Sequence, residues 1–454
     1  MTRGSKDILL ERLRGGGHLS MGESAKLSLL LSYPAILAQL SSIVMQYIDT
    51  AMVGHLGAAA GASIGLVSTC IWLFGGFAMA CSSGFSVQVA HLCGASDFKG
   101  AREIVRQGLV CALIFSCFLA LAGLAVAGPL PRWIGGPEDV VGDASVYFGI
   151  MSIALPALQI DFICASMLQA SGNMKVPSIL NIMMCVLDVG FNYIFIYLLD
   201  MGVTGAAIGT CCAELICAVA MLLALLRGSK ELSLRHEKGS FAPSRKVVQK
   251  ALRISVPMGL QNILLRGAHI ASTVIVAPLG TVSIAANAFA ITAESFCYMP
   301  GYGIADAATS LVGQSCGAGR KDLARRFAWI TTSMGMVIMT LTAALMWIFA
   351  PQLMGMLTPD AAVIELGAKV LRLEAFAETM YAASIVAYGA CVGIGDTKIP
   401  SIMNFTSMWI VRIIPAAILT PKIGLMGFWI AMCVELNFRG IIFLARIARR
   451  STWK

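Results

Sequence analysis

Apolar stretches of about twenty residues or more recur along the whole chain, and a stretch of that length is what one helix needs to cross a bilayer. They run over residues 27–54, 58–91, 104–127, 142–170, 177–199, 203–227, 248–277, 282–315, 325–350, 363–392, 399–420 and 424–446. Within lipid only helices and closed barrels satisfy their own backbone hydrogen bonds, and segments this long point to helices. With 58% apolar and 13% charged residues and a mean hydropathy of +0.81, the chain falls far from soluble globules, whose charged fraction is near a quarter. The expected fold is all-α and integral to the membrane, with twelve transmembrane helices.

The twelve stretches are two copies of six. A shift of 223 residues lays Ser32-Tyr33-Pro34 on Ser255-Val256-Pro257, Leu56-Gly57 on Leu279-Gly280, and Cys93-Gly94-Ala95 on Cys316-Gly317-Ala318. It still holds at Gly172-Asn173-Met174-Lys175-Val176-Pro177-Ser178, which meets Gly395-Asp396-Thr397-Lys398-Ile399-Pro400-Ser401. An even number of spans returns each copy to the side it entered from. The two six-helix lobes therefore share one orientation and are expected to be related by a pseudo-twofold axis along the membrane normal. The expected organisation is an N-terminal tail (1–26), a first lobe (27–227), a linker (228–247), a second lobe (248–446) and a C-terminal tail (447–454).

Lysine and arginine beside spans are retained on the cytoplasmic side. Of the 33 in the chain, 26 fall on the side of the N-terminus. Arg132, Lys369, Arg372 and Lys422 fall in or next to connections on the other, and Arg266, Arg412 and Arg439 lie deep within spans. Both termini are expected in the cytoplasm, with the chain in a plasma membrane or a cell inner membrane. The net charge of +9 follows from this bias and calls for no nucleic-acid partner. The linker, with Lys230, Arg235, Lys238, Arg245 and Lys246 among glycines and serines, reads as a polar loop. Residues 1–26 read as a polar tail without a signal-peptide pattern. The fourteen cysteines show neither disulfide nor zinc spacing and read as small packing residues.

Two similarly oriented lobes can rock about their interface and expose a cleft to each side in turn. Ionisable residues at membrane depth are costly and mark pathways or partners. In the first copy these are Asp49, Asp161, Asp188 and Glu214. Asp188 and Asn192 stand one turn apart on one helix face, as a carboxylate and an amide that together can hold a proton or a dehydrated cation. With a rise of 1.5 Å per residue, Asp49 lies about 8 Å below the outer helix ends, Asn192 and Thr210 about 10 Å, and Asp188 about 16 Å. The second copy serves as a control, since Asp49 falls on Ser272, Asp188 on Val411 and Asn192 on Pro415. The scaffold does not itself require these polar groups.

Ser32-Tyr33-Pro34 followed by Asp49-Thr50-Ala51-Met52-Val53-Gly54-His55-Leu56-Gly57 resembles the signature of the multidrug and toxic compound extrusion (MATE) family. Met299-Pro300-Gly301-Tyr302-Gly303-Ile304, Leu311-Val312-Gly313-Gln314 and Gly395-Asp396-Thr397-Lys398 resemble it too, so that the likeness covers residues 27–446. It implies a secondary active antiporter, not an enzyme, that exports diverse small organic and mostly cationic molecules in exchange for protons or sodium. No cofactor is implied, and a monomer is expected. Carried over by position, Asp49 is similar to the family's coupling carboxylate and Pro34 to the proline that lets its helix bend. Asp188 and Asn192 are similar to an Asn-x-x-x-Asp pair with the groups exchanged, and Thr210 to the associated hydroxyl. Sodium, if it is the coupling ion, is expected at Asp49, Asp188 and Asn192.

The second lobe departs from that pattern. Leu265 and Tyr381 stand where one branch of the family carries acids, so that branch's sodium site is not expected. Arg266 and Glu294 fall at similar depth as a candidate buried pair, and with Glu374, Glu378 and Arg412 they form a candidate charge network. Export of organic anions drawn by Arg266 and Arg412 is an alternative, as is flipping of lipids or lipid-linked oligosaccharides, although that calls for more basic residues in the spans. Gly393-Ile394-Gly395-Asp396 fits an intramembrane aspartyl protease pattern, a remote alternative, because the repeat places Asn173 opposite Asp396. No Gly-x-x-x-x-Gly-Lys-Ser/Thr loop is present, so an ion gradient rather than ATP is the expected energy source.

Overall fold

A computed structural model describes residues 5–235 and 239–453; Lys238 of the linker, the first four residues and Lys454 lie outside them. The helices in chain order are α1 (Ser5–Arg14), α2 (Met21–Gly54), α3 (Ala58–Gly94), α4 (Phe98–Ala127), the short α5 (Leu130–Trp133), α6 (Glu138–Ala170), α7 (Lys175–Tyr193) and α8 (Gly202–Leu223). There follow α9 (Arg245–Val276), α10 (Thr281–Gly317), α11 (Lys321–Gly355), α12 (Ala361–Glu374), α13 (Glu378–Ile394), α14 (Lys398–Thr406), α15 (Ile414–Ile423) and α16 (Leu425–Ala448). Eleven spans among the described residues are long and apolar enough to cross a membrane, and α12 with α13 makes a twelfth bent by 60°. The expected single helix over 363–392 is thus broken between Glu374 and Glu378. Wide π turns at Ile194–Leu198 and Ser407–Ile413 extend α7 and join α14 to α15.

The duplication is repeated in the backbone. Gly57 and Gly280 both take positive φ, as do Gly172 and Gly395, and Ser96 matches Gly319. These positions turn the chain into the next helix in conformations open mainly to glycine.

The chain divides into two compact units, Ser41–Gly259 and Met1–Leu40 with Leu260–Lys454. Both divisions fall inside long helices, α2 and α9. Within Ser41–Gly259, Phe85, Val89, Val105, Ile163, Met167 and Met221 form a shared core of α3, α4, α6 and α8. In the other unit Trp429, Met346, Met354 and Leu371 do the same for α11, α12 and α16. Small residues let helices approach, as membrane packing requires. A methyl group at Gly303 would strike the backbone of Ala35 and Ile36, and one at Gly389 would strike Ala305.

Described parts of the tails and the linker pack against the helices despite their polarity. Leu9, Leu10 and Leu13 of α1 are buried. Arg14 Nε donates to Gln314 Oε1 at 3.0 Å, and Arg320 donates to the carbonyls of Arg12 and Leu13. The polar tail read from residues 1–26 therefore contains an amphipathic helix whose one apolar turn is too short to register as hydrophobic. At the other end Trp453 is buried, its indole donating to the Ile447 carbonyl. Leu232 of the linker is fully buried.

Candidate functional site

Asp49, Asp188, Asn192 and Thr210, which the sequence places on three helices, meet inside Ser41–Gly259. Asn192 Nδ2 donates to Asp49 Oδ1 and to Asp188 Oδ2, each at 3.1 Å. Thr210 stands near the Asp188 carboxyl, and the two carboxyls lie near each other. Asp188 and Asn192 are almost wholly buried, while Asp49 is partly exposed. The two buried residues share a face of α7 because they are four apart. They meet α8 because Gly209 has no side chain: a methyl group there would collide with the side chain and backbone of Asn192. Outward of the cluster, Tyr197 Oη donates to the Met52 carbonyl at 2.9 Å and ties α2 to the π turn after α7.

The cluster is acidic and without a basic partner. Glu214 stands one turn along α8 from Thr210 and near Asp188 and Asp161. None of these four carboxyls has an ion pair among the described residues. Asp188 Oδ1 and Asn192 Oδ1 are buried and accept no hydrogen bond. Charged carboxylates at this depth need a compensating cation. With the amide donating to both acids, the cluster suits a shared proton. Turned by half a rotation, the same amide would aim Oδ1 inward and complete a set of hard oxygen donors fit for sodium.

The second-lobe residues assemble differently. Arg412 donates through Nε at 3.0 Å and Nη2 at 2.7 Å to Glu435 Oε2, Arg439 Nε lies 3.0 Å from Glu435 Oε1, and Ser407 donates to the same carboxylate. Arg439 also lies over the ring of Tyr381, 5.4 Å from its centroid. Glu294 stands near Arg412 and Arg439, whereas Arg266, its expected partner, stands near Tyr298 and Tyr302. Equal depth along two helices says nothing about which way each side chain points. Glu374 and Glu378 flank the bend between α12 and α13, fully buried, with no hydrogen bond to any of their four oxygens. Glu435 was missed as a site residue. Its signal was available: Glu435 and Arg439 are four apart, and aligning Gly427 with Gly205 sets them against Ala213 and Cys217 of the first copy. Asp396 is paired with Arg446, as suits a turn residue at a helix end.

The decisive likeness is that one family profile, MatE, matches the chain twice, over residues 34–194 and again over 257–418. The chain belongs to the MatE family. The two matches begin at Pro34 and Pro257, the register of the internal repeat. Members of the MatE family are ion-coupled antiporters of the membrane, not enzymes, and use no cofactor. Among relatives, a "Probable multidrug resistance protein NorM" of Thermotoga maritima is 25% identical over 427 residues, 91% of this chain and 90% of that protein. The NorM of Mannheimia succiniciproducens is 27% identical over 441 residues, 93% of each. Solved structures share the two-lobed MatE fold. A MATE in complex with MaL6 superposes with a TM-score of 0.89 at 20% identity, over 97% of this chain and 98% of that one. A mutant of the Vibrio cholerae MATE transporter VcmN gives 0.88 at 19% identity, over 96% and 99%.

Proposed function

We propose that this MatE protein exports small organic, predominantly cationic molecules in exchange for a cation bound at Asp49, Asp188 and Asn192, with Thr210 beside them. The observation that carries the reading is the Asn192 amide bridging two carboxyls in a lobe whose buried acids have no basic partner among the described residues. The cation, a proton or sodium, neutralises the cluster and changes how α2 packs against α7. Pro34 makes that helix deformable, because it lacks an N–H and leaves the Leu30 carbonyl without its usual donor. Neutralisation on the outer side would repack α2 and release substrate outward; return to the inward state frees the cation.

The breadth of the substrate class is supported by the relatives' designation as multidrug resistance proteins, and its cationic character by the first-lobe acids Asp49, Asp161, Asp188 and Glu214, which have no ion pair among the described residues. The excess of basic residues on one face supports both termini in the cytoplasm of a cell whose inner or plasma membrane holds the chain. The test is efflux of a panel of fluorescent organic cations from proteoliposomes under separate proton and sodium gradients, with wild type, Asp49→Asn and Ser272→Ala. Coupling lost in Asp49→Asn and kept in Ser272→Ala is the expected result; undiminished coupled efflux in Asp49→Asn would overturn the assignment.

A further inference from the structure

An apolar groove of about 440 Å³ opens on the surface of Ser41–Gly259, floored by Leu109 and Leu113 of α4, Ile160 of α6, and Leu222 and Leu226 at the end of α8. Its volume falls within the range of small-molecule sites. Arg227, Arg235 and Phe241 stand at one end, where α8 leaves the membrane and the linker begins. The lining covers about 6 Å of α4, from Leu109 to Leu113, and about 7 Å of the chain at the end of α8, from Leu222 out to Arg227. The groove thus runs along the helices, charged at the membrane boundary and apolar toward the interior.

The rim is built, not loose. Ser233 Oγ and Leu234 N both donate to the Leu226 carbonyl, at 2.8 and 3.1 Å, and Leu232 N donates to Ser229 Oγ at 3.1 Å. Arg102 Nε holds the Glu231 carbonyl at 3.0 Å, and beyond Phe241 the Ser244 amide donates to Gln107 Oε1 at 2.9 Å. These contacts fix the linker against the lobe on both sides of Arg235 and Phe241. Basic residues near a membrane surface follow from topology alone. What topology does not explain is why two guanidinia with no ion pair among the described residues are held at the mouth of a groove lined by aliphatic side chains.

The geometry points to a site for one anionic glycerophospholipid of the adjoining leaflet, its phosphate on Arg227 and Arg235 and an acyl chain along Leu226, Leu222 and Leu113. The polarity of the groove matches that of a lipid standing in that leaflet, with head at the boundary and tail inward. Anionic headgroups attract basic side chains at the surface, and the aliphatic lining offers an acyl chain contacts that a soluble phosphate cannot use. The bound lipid would bridge the linker and the α8 end. This inference needs only a membrane-embedded chain and stands apart from the coupling mechanism.

The test is native mass spectrometry of the full chain in detergent, titrated with phosphatidylglycerol or phosphatidylcholine of identical acyl chains. Wild type is expected to retain phosphatidylglycerol selectively. Retention should fall about fivefold for each arginine removed in Arg227→Ala and Arg235→Ala. Leu113→Trp, at an exposed aliphatic position that keeps both charges and stays clear of the linker contacts, should also lower it by obstructing the tail. Equal retention of both lipids, selectivity unchanged in the double arginine variant, or wild-type retention in Leu113→Trp would each overturn the site. Release by inorganic phosphate alone, with no dependence on the acyl chain, would reduce it to headgroup attraction and overturn it equally.

Discussion

Asn192 reaches Asp49 across 143 residues of chain, donating Nδ2 to Asp49 Oδ1 at 3.1 Å while the same nitrogen serves Asp188. One amide therefore senses the charge of two acids on two helices. Replacing it with an apolar side chain of similar size removes the donor from both. Hydrogen bonds to charged groups contribute about 1.5–3 kcal/mol, so Asn192→Leu is expected to change cation affinity by about ten- to a hundredfold. Equilibrium cation binding to purified protein, alongside coupled efflux, checks this.

The orientation of that amide gives a second expectation. Asn192→Asp replaces a donor with acceptor oxygens and makes the cluster resemble the hard oxygen sets that hold metal cations. Sodium stimulation of efflux should rise in this variant relative to stimulation by a proton gradient. A sodium response equal to that of wild type would argue against the amide as the element of cation selection.

Gly209 sets the distance between α7 and α8. Gly209→Ala would press a methyl group into Asn192, at a cost of about 1–3 kcal/mol for overpacking and with loss of coupling. Gly190 on α7 has open space where its Cβ would stand. Gly190→Ala is expected within about 1 kcal/mol of wild type. Thermal melting of the two variants in one detergent separates them.

Glu435 holds two buried guanidinia. Glu435→Gln leaves Arg412 and Arg439 inadequately compensated, and breaking a buried pair costs about 3–5 kcal/mol. The melting temperature should fall sharply, and replacing all three residues with leucine should recover much of it. Glu374→Gln is expected to melt close to wild type, since neither Glu374 oxygen accepts a hydrogen bond.

Pro34→Ala supplies the N–H that α2 lacks and stiffens it. Cation binding at Asp49 should persist while the efflux rate falls, because the site lies fifteen residues away and only the deformation is opposed. Binding and transport lost together would place Pro34 in folding rather than in the conformational step.

Much of the architecture was legible before any coordinate. Spans are averages over about twenty residues, and burial in lipid imposes its hydrophobicity on each residue independently of neighbours. The shift of 223 located the turns as well, since Gly57 and Gly280, or Gly172 and Gly395, meet the same local steric demand. Asp49, Asp188 and Asn192 stood out because the second copy lacks all three, and the four-residue spacing put Asp188 and Asn192 on one face; that Asn192 reaches Asp49 on another helix came only with the packed helices.

The break between Glu374 and Glu378 was hidden by continuous hydropathy, and the α1 helix by its shortness. The pairing of Arg412 and Arg439 with Glu435, in place of Arg266 with Glu294, depends on helix rotation, which depth along an axis does not contain. A duplicated twelve-span membrane fold, and the copy that carries the distinctive acids, follow from local composition and from comparison of the chain with itself. Which buried charges compensate one another, and the seating of the linker's described residues on its lobe, emerged only from the packed helices. Those outcomes depend on which helix faces meet, and side chains distant in sequence become neighbours only when the helices pack.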